Sequence, residues 1–199
     1  MAAADLTLLR TDSDRLLAAV RGLLAAKGIV TPEEIKERIR FVDEAHPGQG
    51  ARMVARAWVD PAFRATMLAD GTKAAELLGI PMRGMPPLGV LENAPGLHHL
   101  VVCTLCSCYP RAVLGYPPFW FKSAAYRARA VRDPAGVLAE WRTVLPADTT
   151  IRVVDSTADY RWMVLPMRPP GTEGWSEDRL AGVVTEGDMI GVTLPHVTA

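Results

Sequence analysis

An α+β fold is predicted for this chain, and three observations predict it. Residues up to about Leu78 carry apolar side chains at helical spacing. The run Pro81-Met82-Arg83-Gly84-Met85-Pro86-Pro87 then breaks the composition and reads as a linker. Beyond it, short β-rich segments alternate irregularly with helical ones, which suggests α+β layers rather than a doubly wound sheet.

The elements follow in order. Ser13 or Asp14 opens a helix whose apolar positions are Leu16, Leu17, Val20, Leu23 and Leu24, and Gly28 is placed to end it. Thr31-Pro32-Glu33-Glu34 is a capping box with proline at the first helical position, and Ile35, Ile39 and Val42 mark one face of the helix it opens. His46-Pro47-Gly48 punctuates the pattern. A further helical segment covers 51–59, Asp60-Pro61 starts another, Asp70-Gly71 closes that one, and 72–78 adds a short last turn or two. Past the linker, 90–92 and 100–102 read as short strands. Residues 123–131 and 134–144 read as helices, the second capped by Asp133. Residues 151–154 and 160–165 are β-rich strands, Ser176 caps a short helix, and 189–194 forms a last strand. No internal repeat or low-complexity tract occurs.

Composition narrows the class. A chain of 199 residues fits one or two modest domains and can bury a real core. Lys+Arg and Asp+Glu balance at 22 each, so no strong field for nucleic acid or a membrane surface arises. The start, MAAADLTLLR, lacks the basic and apolar regions of a signal peptide, and no uninterrupted apolar stretch of about 18 residues suggests a membrane helix. Cysteines left free in a chain without a signal peptide point to the cytoplasm. Hydrophobic residues make up 49% of the sequence, at the upper end for a soluble domain, so a partner is expected to cover some apolar surface.

The chemistry concentrates in one place. All three cysteines fall within six residues, Cys103-Thr104-Leu105-Cys106-Ser107-Cys108. That spacing argues against a disulfide framework and for a metal thiolate site. Three thiolates on so short a loop can converge on one ion. If the backbone amides of Ser107 and Cys108 lose their protons, they can complete a plane of S and N donors. Such a strong ligand field suits a trivalent, redox-inert transition metal better than zinc. Other readings stay open on local spacing. A structural zinc site takes four ligands, and His98 and His99 are the nearest further donors. An iron–sulfur cluster usually wants four thiolates. A redox pair would use Cys103 and Cys106 and leave Cys108 spare.

The residues around the loop carry a resemblance. VVCTLCSCYP, followed by VLGYPPFWFKSAAYRARAV, resembles the metal-binding region of nitrile hydratase alpha subunits. The similarity continues in VLAEW, VVDSTADYRWMVLPMRPPGTEGWSEDRL and VTEGDMIGV, and upstream in ARAWVDPAFRATMLADG and VLENAPGLHHL, so it covers nearly the whole chain. Threonine at the position of Thr104 marks the cobalt type; serine there usually marks the iron type. The resemblance implies a helical N-terminal arm over 1–82 that contacts a partner subunit, then a layered α-β-β-α catalytic domain over 83–199. It implies a hydro-lyase that hydrates a nitrile to the amide, with one cobalt(III) per chain and iron less expected. The implied metal donors are Cys103, Cys106, Ser107 and Cys108, and Cys106, Ser107 and Cys108 form the catalytic set. Cys106 is expected as a sulfinic acid and Cys108 as a sulfenic acid, states that a metal-bound thiolate can reach with oxygen. The resemblance places Cys103 opposite the open position. The implied partner is a beta subunit, as one chain or two shorter ones, within a higher heteromer. In the family that partner supplies two arginines to the oxidised sulfurs.

Two departures from the family pattern bear on substrate. Most nitrile hydratases read Tyr-Pro-Trp-Pro or a near variant after the motif, whereas this chain reads Tyr109-Pro110-Arg111-Ala112. Arg111 is the candidate substrate-binding residue, and it suits a polar or anionic substrate. Thiocyanate hydrolase, a related family whose gamma subunit carries a similar cobalt motif, also has arginine there. Gly84 lies near where some members have a glutamine facing the pocket. Thiocyanate hydrolysis is therefore the second functional reading, and a non-catalytic cobalt-binding or carrier protein the third. Arg127 and Arg129 are expected to pair with carboxylates or face solvent, and Asp155 and Tyr160 to make structural hydrogen bonds.

Overall fold

The computed structural model describes residues 3–197, those up to Thr11 as backbone alone. The first two and last two residues of the sequence, the ends of the expected arm and catalytic domain, lie outside the described residues. The chain divides into two compact units, at Asp43/Glu44.

The first unit is helical. Helix α1 (Ala3–Ala26) ends where the sequence places its stop: Gly28 adopts φ +64°, and the amide of Ile29 donates back to the Leu24 carbonyl at 3.0 Å. Helix α2 (Pro32–Glu44) is opened by the expected capping box. The Thr31 amide donates to Glu34 Oε2 at 2.7 Å, and the Glu34 amide donates to Thr31 Oγ1 at 3.1 Å. Neither helix is coated for solvent on all sides. Leu16, Leu17, Val20, Leu23 and Ile39 are all exposed, and α2 has no buried residue.

The second unit starts with three helices that the sequence groups with the arm: α3 (Pro47–Val59), α4 (Pro61–Ala69) and α5 (Gly71–Leu77). Their boundary shifts from the proline-rich segment at 81–87 to Asp43/Glu44 because α3 is a core helix. Met53, Val54 and Ala57 are fully or almost fully buried. Gly50 lets α3 approach so closely that a Cβ there would meet Leu114 and Met189 at 2.7 Å. Asp60 caps α4 as expected, accepting from the amides of Ala62 and Phe63, each at 3.0 Å.

Four strands form two parallel pairs. Strands β1 (Leu88–Glu92) and β4 (Arg161–Leu165) pair with Leu88 opposite Arg161. Strands β2 (Leu97–Val102) and β3 (Thr150–Asp155) pair with Val102 opposite Asp155. Between β2 and β3 lie four short helices: α6 (Arg111–Leu114), α7 (Phe119–Lys122), α8 (Ala124–Arg132) and α9 (Pro134–Glu140). Ser123 caps α8 and Asp133 caps α9. Helix α9 stops short of residue 144 because Arg142 turns left-handed, at φ 57°.

Helix α10 (Glu177–Ala181) follows Ser176, and the chain's last described element is α11 (Glu186–Ile190). The strand expected over 189–194 does not form. Thr185 and Asp188 make a reciprocal capping box that starts a helix through Ile190, and Gly191 leaves it left-handed at φ +89°. Apolar Met189, Ile190 and Val192 are buried all the same, so the pattern marks core without fixing the backbone. Among the described residues, no helix is long and apolar enough to cross a membrane.

Candidate metal centre

Strand β2 ends at Val102, and the next residue is Cys103. Pairing with β3 sets where the loop begins, since Val102 faces Asp155 across the ladder. From there the loop turns back on itself. The Cys106 amide donates to Cys103 Sγ at 3.3 Å. Cys103 Sγ lies 3.5 Å from Cys106 Sγ, and Cys106 Sγ lies 3.1 Å from Cys108 Sγ. All three sulfurs fall within 4.8 Å of one another. Cys103 and Cys108 are buried and Cys106 is exposed, so the cluster opens on one side.

The backbone amides of Ser107 and Cys108 lie near enough to the Cys106 sulfur to favour its thiolate. The neighbouring sulfurs of Cys108 and Cys103, and then these amides, hold the Cys106 thiol below the ordinary cysteine value. Cys108 goes the other way: burial, then the Cys106 and Cys103 thiols, push it up to about 12.

This donor set fits a metal. Two sulfurs each about 2.3 Å from one ion would sit about 3.8 Å apart at a tetrahedral angle and about 3.3 Å apart at a right angle. The observed 3.1 and 3.5 Å are short enough for the sulfurs of each pair to share one ion.

Several side chains hold the loop. Asp155 accepts twice from Thr104, from its amide at Oδ1 (3.0 Å) and from its hydroxyl at Oδ2 (2.5 Å). Arg127, on α8, reaches the Thr104 carbonyl at 3.5 Å instead of facing solvent or pairing with a carboxylate. Arg129 does pair with carboxylates, those of Glu140 and Asp133. Beyond Cys108, the buried Tyr109 donates its hydroxyl to Glu186 and packs edge-on against Phe121, with ring centroids 4.9 Å apart. Tyr126 anchors α8 to β2 by donating to the Val101 carbonyl at 2.6 Å.

The remaining candidates separate. Arg111 starts α6, and its guanidinium stacks 4.4 Å above the Tyr116 ring. It lines a small cleft with Pro110, Met82, Met85, Pro86 and Arg161. Gly84 sits in the same linker, left-handed at φ +71°. His98 and His99 are not part of the sulfur cluster. Both are buried in β2, where Asn93 and the Gly191 carbonyl satisfy them. Tyr160 packs its ring on Trp162, with centroids 4.8 Å apart. The residue that sequence reading passed over is Arg161. Nothing in its local sequence marks it, and only pairing with β1 brings it beside the cleft.

A three-cysteine loop whose own amides face its sulfurs, carried on an α+β unit, has clear counterparts. Residues 11–193 match the family described as "Nitrile hydratase, alpha chain". The low-molecular weight cobalt-containing nitrile hydratase subunit alpha of Rhodococcus rhodochrous is 47% identical over 178 residues, covering 89% of this chain and 86% of that one. The thiocyanate hydrolase subunit gamma of Thiobacillus thioparus is 42% identical over 196 residues, covering 93% and 81%. Among solved structures, a recombinant thiocyanate hydrolase comprising partially-modified cobalt centers superposes with a TM-score of 0.84 at 42% identity, over 93% of this chain and 90% of that one. The chain belongs to the nitrile hydratase alpha-chain family.

Proposed function

We propose that this chain is the metal-carrying subunit of a heteromeric, cobalt-type enzyme that adds water across a nitrile carbon–nitrogen triple bond to give the amide. One observation carries the reading: three sulfurs of one short loop converge within 4.8 Å of one another. Cys103, Cys106, Cys108 and the Ser107 and Cys108 amide nitrogens would hold the ion. A trivalent cobalt there would supply Lewis acidity toward the nitrile or toward water. Cobalt rather than iron is favoured by Thr104 and by the cobalt-containing relative. Cys106 and Cys108 are the sulfurs read as sulfinic and sulfenic acids.

The chain's own groups shape that chemistry. Asp155 and Arg127 hold the loop from β3 and α8. Burial of Cys103 and Cys108 keeps water from two of the three sulfurs, and the exposed side at Cys106 and Ser107 admits substrate. We read the two strand pairs, with helices on both sides, as the α-β-β-α layering of the catalytic domain. The arm over α1 and α2 is read as a partner contact, because its leucines are exposed and available to a beta subunit. The buried interface would be on the order of 2,000 Å². Leu105 and Phe119, exposed on the loop and on α7, extend the apolar surface such a partner would cover. Free thiols suit the cytoplasm.

Thiocyanate is the second substrate reading. Arg111 on the cleft wall and the similarity to a thiocyanate hydrolase gamma subunit favour it. A guanidinium stays charged and presents a fork of donors, which suits an anion better than an apolar nitrile.

Metal analysis with intact mass, followed by side-by-side assays of nitriles and thiocyanate with the beta partner present, tests all of this. About one cobalt per chain with added oxygens, and turnover of either substrate, is the expected result. Stoichiometric zinc after growth on cobalt would defeat the reading. Cobalt uptake without turnover of either substrate would leave a metal carrier.

A further inference from the structure

Two arginines border the cysteine loop, and each leaves one buried nitrogen unpaired. Arg161 Nη1 and Arg127 Nε are both shut off from solvent with no hydrogen-bond partner. A guanidinium nitrogen without a partner in such a place is costly, and it calls for a negative group.

Their settings differ from that of an ordinary surface arginine. Arg161 is the first residue of β4. Its amide donates to the Pro87 carbonyl at 2.9 Å, and its strand position opposite Leu88 is fixed. Its side chain lines the cleft next to Pro110, two residues past Cys108. Arg127 projects from α8 to the Thr104 carbonyl inside the loop. By contrast, Arg129 on the same helix is neutralised by Glu140 and Asp133.

We propose that Arg161 and Arg127 are positioning residues of the metal centre, a pair of fixed cations within this chain that offset the negative charge of the loop once its three sulfurs and two amides are deprotonated. The inference rests on the metal-site reading above. Three thiolates and two amide anions bring five negative charges, more than either a divalent or a trivalent ion neutralises. Two guanidiniums offset part or all of that excess within the chain, before any partner docks.

The test is metal affinity, not activity. The full-length chain, alone and without oxygen, is titrated with cobalt(II) while sulfur-to-cobalt charge-transfer absorption is followed. Groups that support metal ligands from behind change affinity by about 10- to 100-fold when removed. Arg161→Gln and Arg127→Gln should each weaken cobalt binding about 10-fold, and Arg161→Lys and Arg127→Lys by much less. Arg129→Gln should bind like the wild type. Near-ultraviolet circular dichroism of the lysine variants shows that the fold survives, so a glutamine variant that unfolds is replaced in the comparison by its lysine partner at raised salt. The inference is overturned if the Arg161 and Arg127 variants bind cobalt as the wild type does, or if Arg129→Gln weakens binding equally. In that case the metal site itself stands. A wild-type chain that gives no charge-transfer band overturns the metal-site reading and the inference together.

Discussion

Asp155 grips Thr104 at both ends: one carboxylate oxygen takes the Thr104 amide at 3.0 Å and the other takes its hydroxyl. The contact spans 51 residues of sequence and pins the first turn of the cysteine loop to the end of β3. It shows how a sheet register, and not the loop alone, sets the sulfur geometry.

Breaking that grip should loosen the metal without unfolding the protein. Asp155→Ala removes two charge-assisted bonds from an exposed site, and a supporting group of this kind is worth about 10- to 100-fold in metal affinity. Cobalt per chain, measured after dialysis against a chelator, should fall well below the wild-type value. Asp155→Asn keeps one acceptor and should fall between. Full cobalt retention by Asp155→Ala would show that the loop holds its own shape.

Gly191 should not tolerate a side chain. It stands at φ +89°, and a Cβ there would lie 2.0 Å from the His99 carbonyl oxygen. Left-handed backbone costs a non-glycine residue about 1–2 kcal/mol, and overpacking adds about 1–3 kcal/mol. Gly191→Ala should therefore lose about 3 kcal/mol, or about 6–12 °C in Tm for a chain of this size. A melting point within a degree of wild type would mean that β2 shifts freely at His99.

Acid should destabilise the fold through His98. The Asn93 Oδ1 accepts the His99 amide at 2.8 Å, which turns Asn93 Nδ2 toward His98 Nδ1 at 3.0 Å. His98 is then left to donate from Nε2 to the Gly191 carbonyl at 2.7 Å. Burial lowers the His98 pKa, against the raising effect of the Gly191 bond, and burial lowers that of His99 as well. Unfolded histidine takes up a proton near pH 6.5 while the folded residues stay neutral, so the unfolded state binds more protons below that pH. Stability should be flat above about pH 7 and fall as pH drops through 6, by at most about 1.4 kcal/mol per unit for each histidine. Urea midpoints between pH 5 and 8 measure this, and His98→Gln should flatten the slope. A wild-type midpoint that rises on acidification would contradict the neutral-histidine network.

Arg111 should set substrate polarity. Arg111→Trp replaces the guanidinium over Tyr116 with an aromatic wall. A lost charged hydrogen bond costs about 1.5–3 kcal/mol, or about 10- to 150-fold in kcat/KM. Turnover of polar or anionic substrates should fall by that factor, and small apolar nitriles should improve. An equal, small change for every substrate would make Arg111 a bystander.

The sequence by itself determined the parts whose physics is local. The capping boxes at Thr31 and the caps at Asp60, Ser123 and Asp133 are short-range bonds between residues two or three apart, and all form. So does the sulfur cluster, since three cysteines spaced three and two apart cannot lie far from one another. A local pattern can also mislead. Residues 189–194 read as strand because buried strand and buried helix are equally apolar, and the Thr185–Asp188 capping box decides for helix. What only the tertiary structure decided is everything that parallel pairing brings together across the chain. Each parallel pair joins strands about 50 to 75 residues apart, and no local signal names the partner. That pairing puts α3 in the core beside α6 and α11, sets Asp155 under Thr104, and seats Arg161 beside the cleft. These placements follow from which buried surfaces fit one another, a property of the whole packed chain and of no single segment.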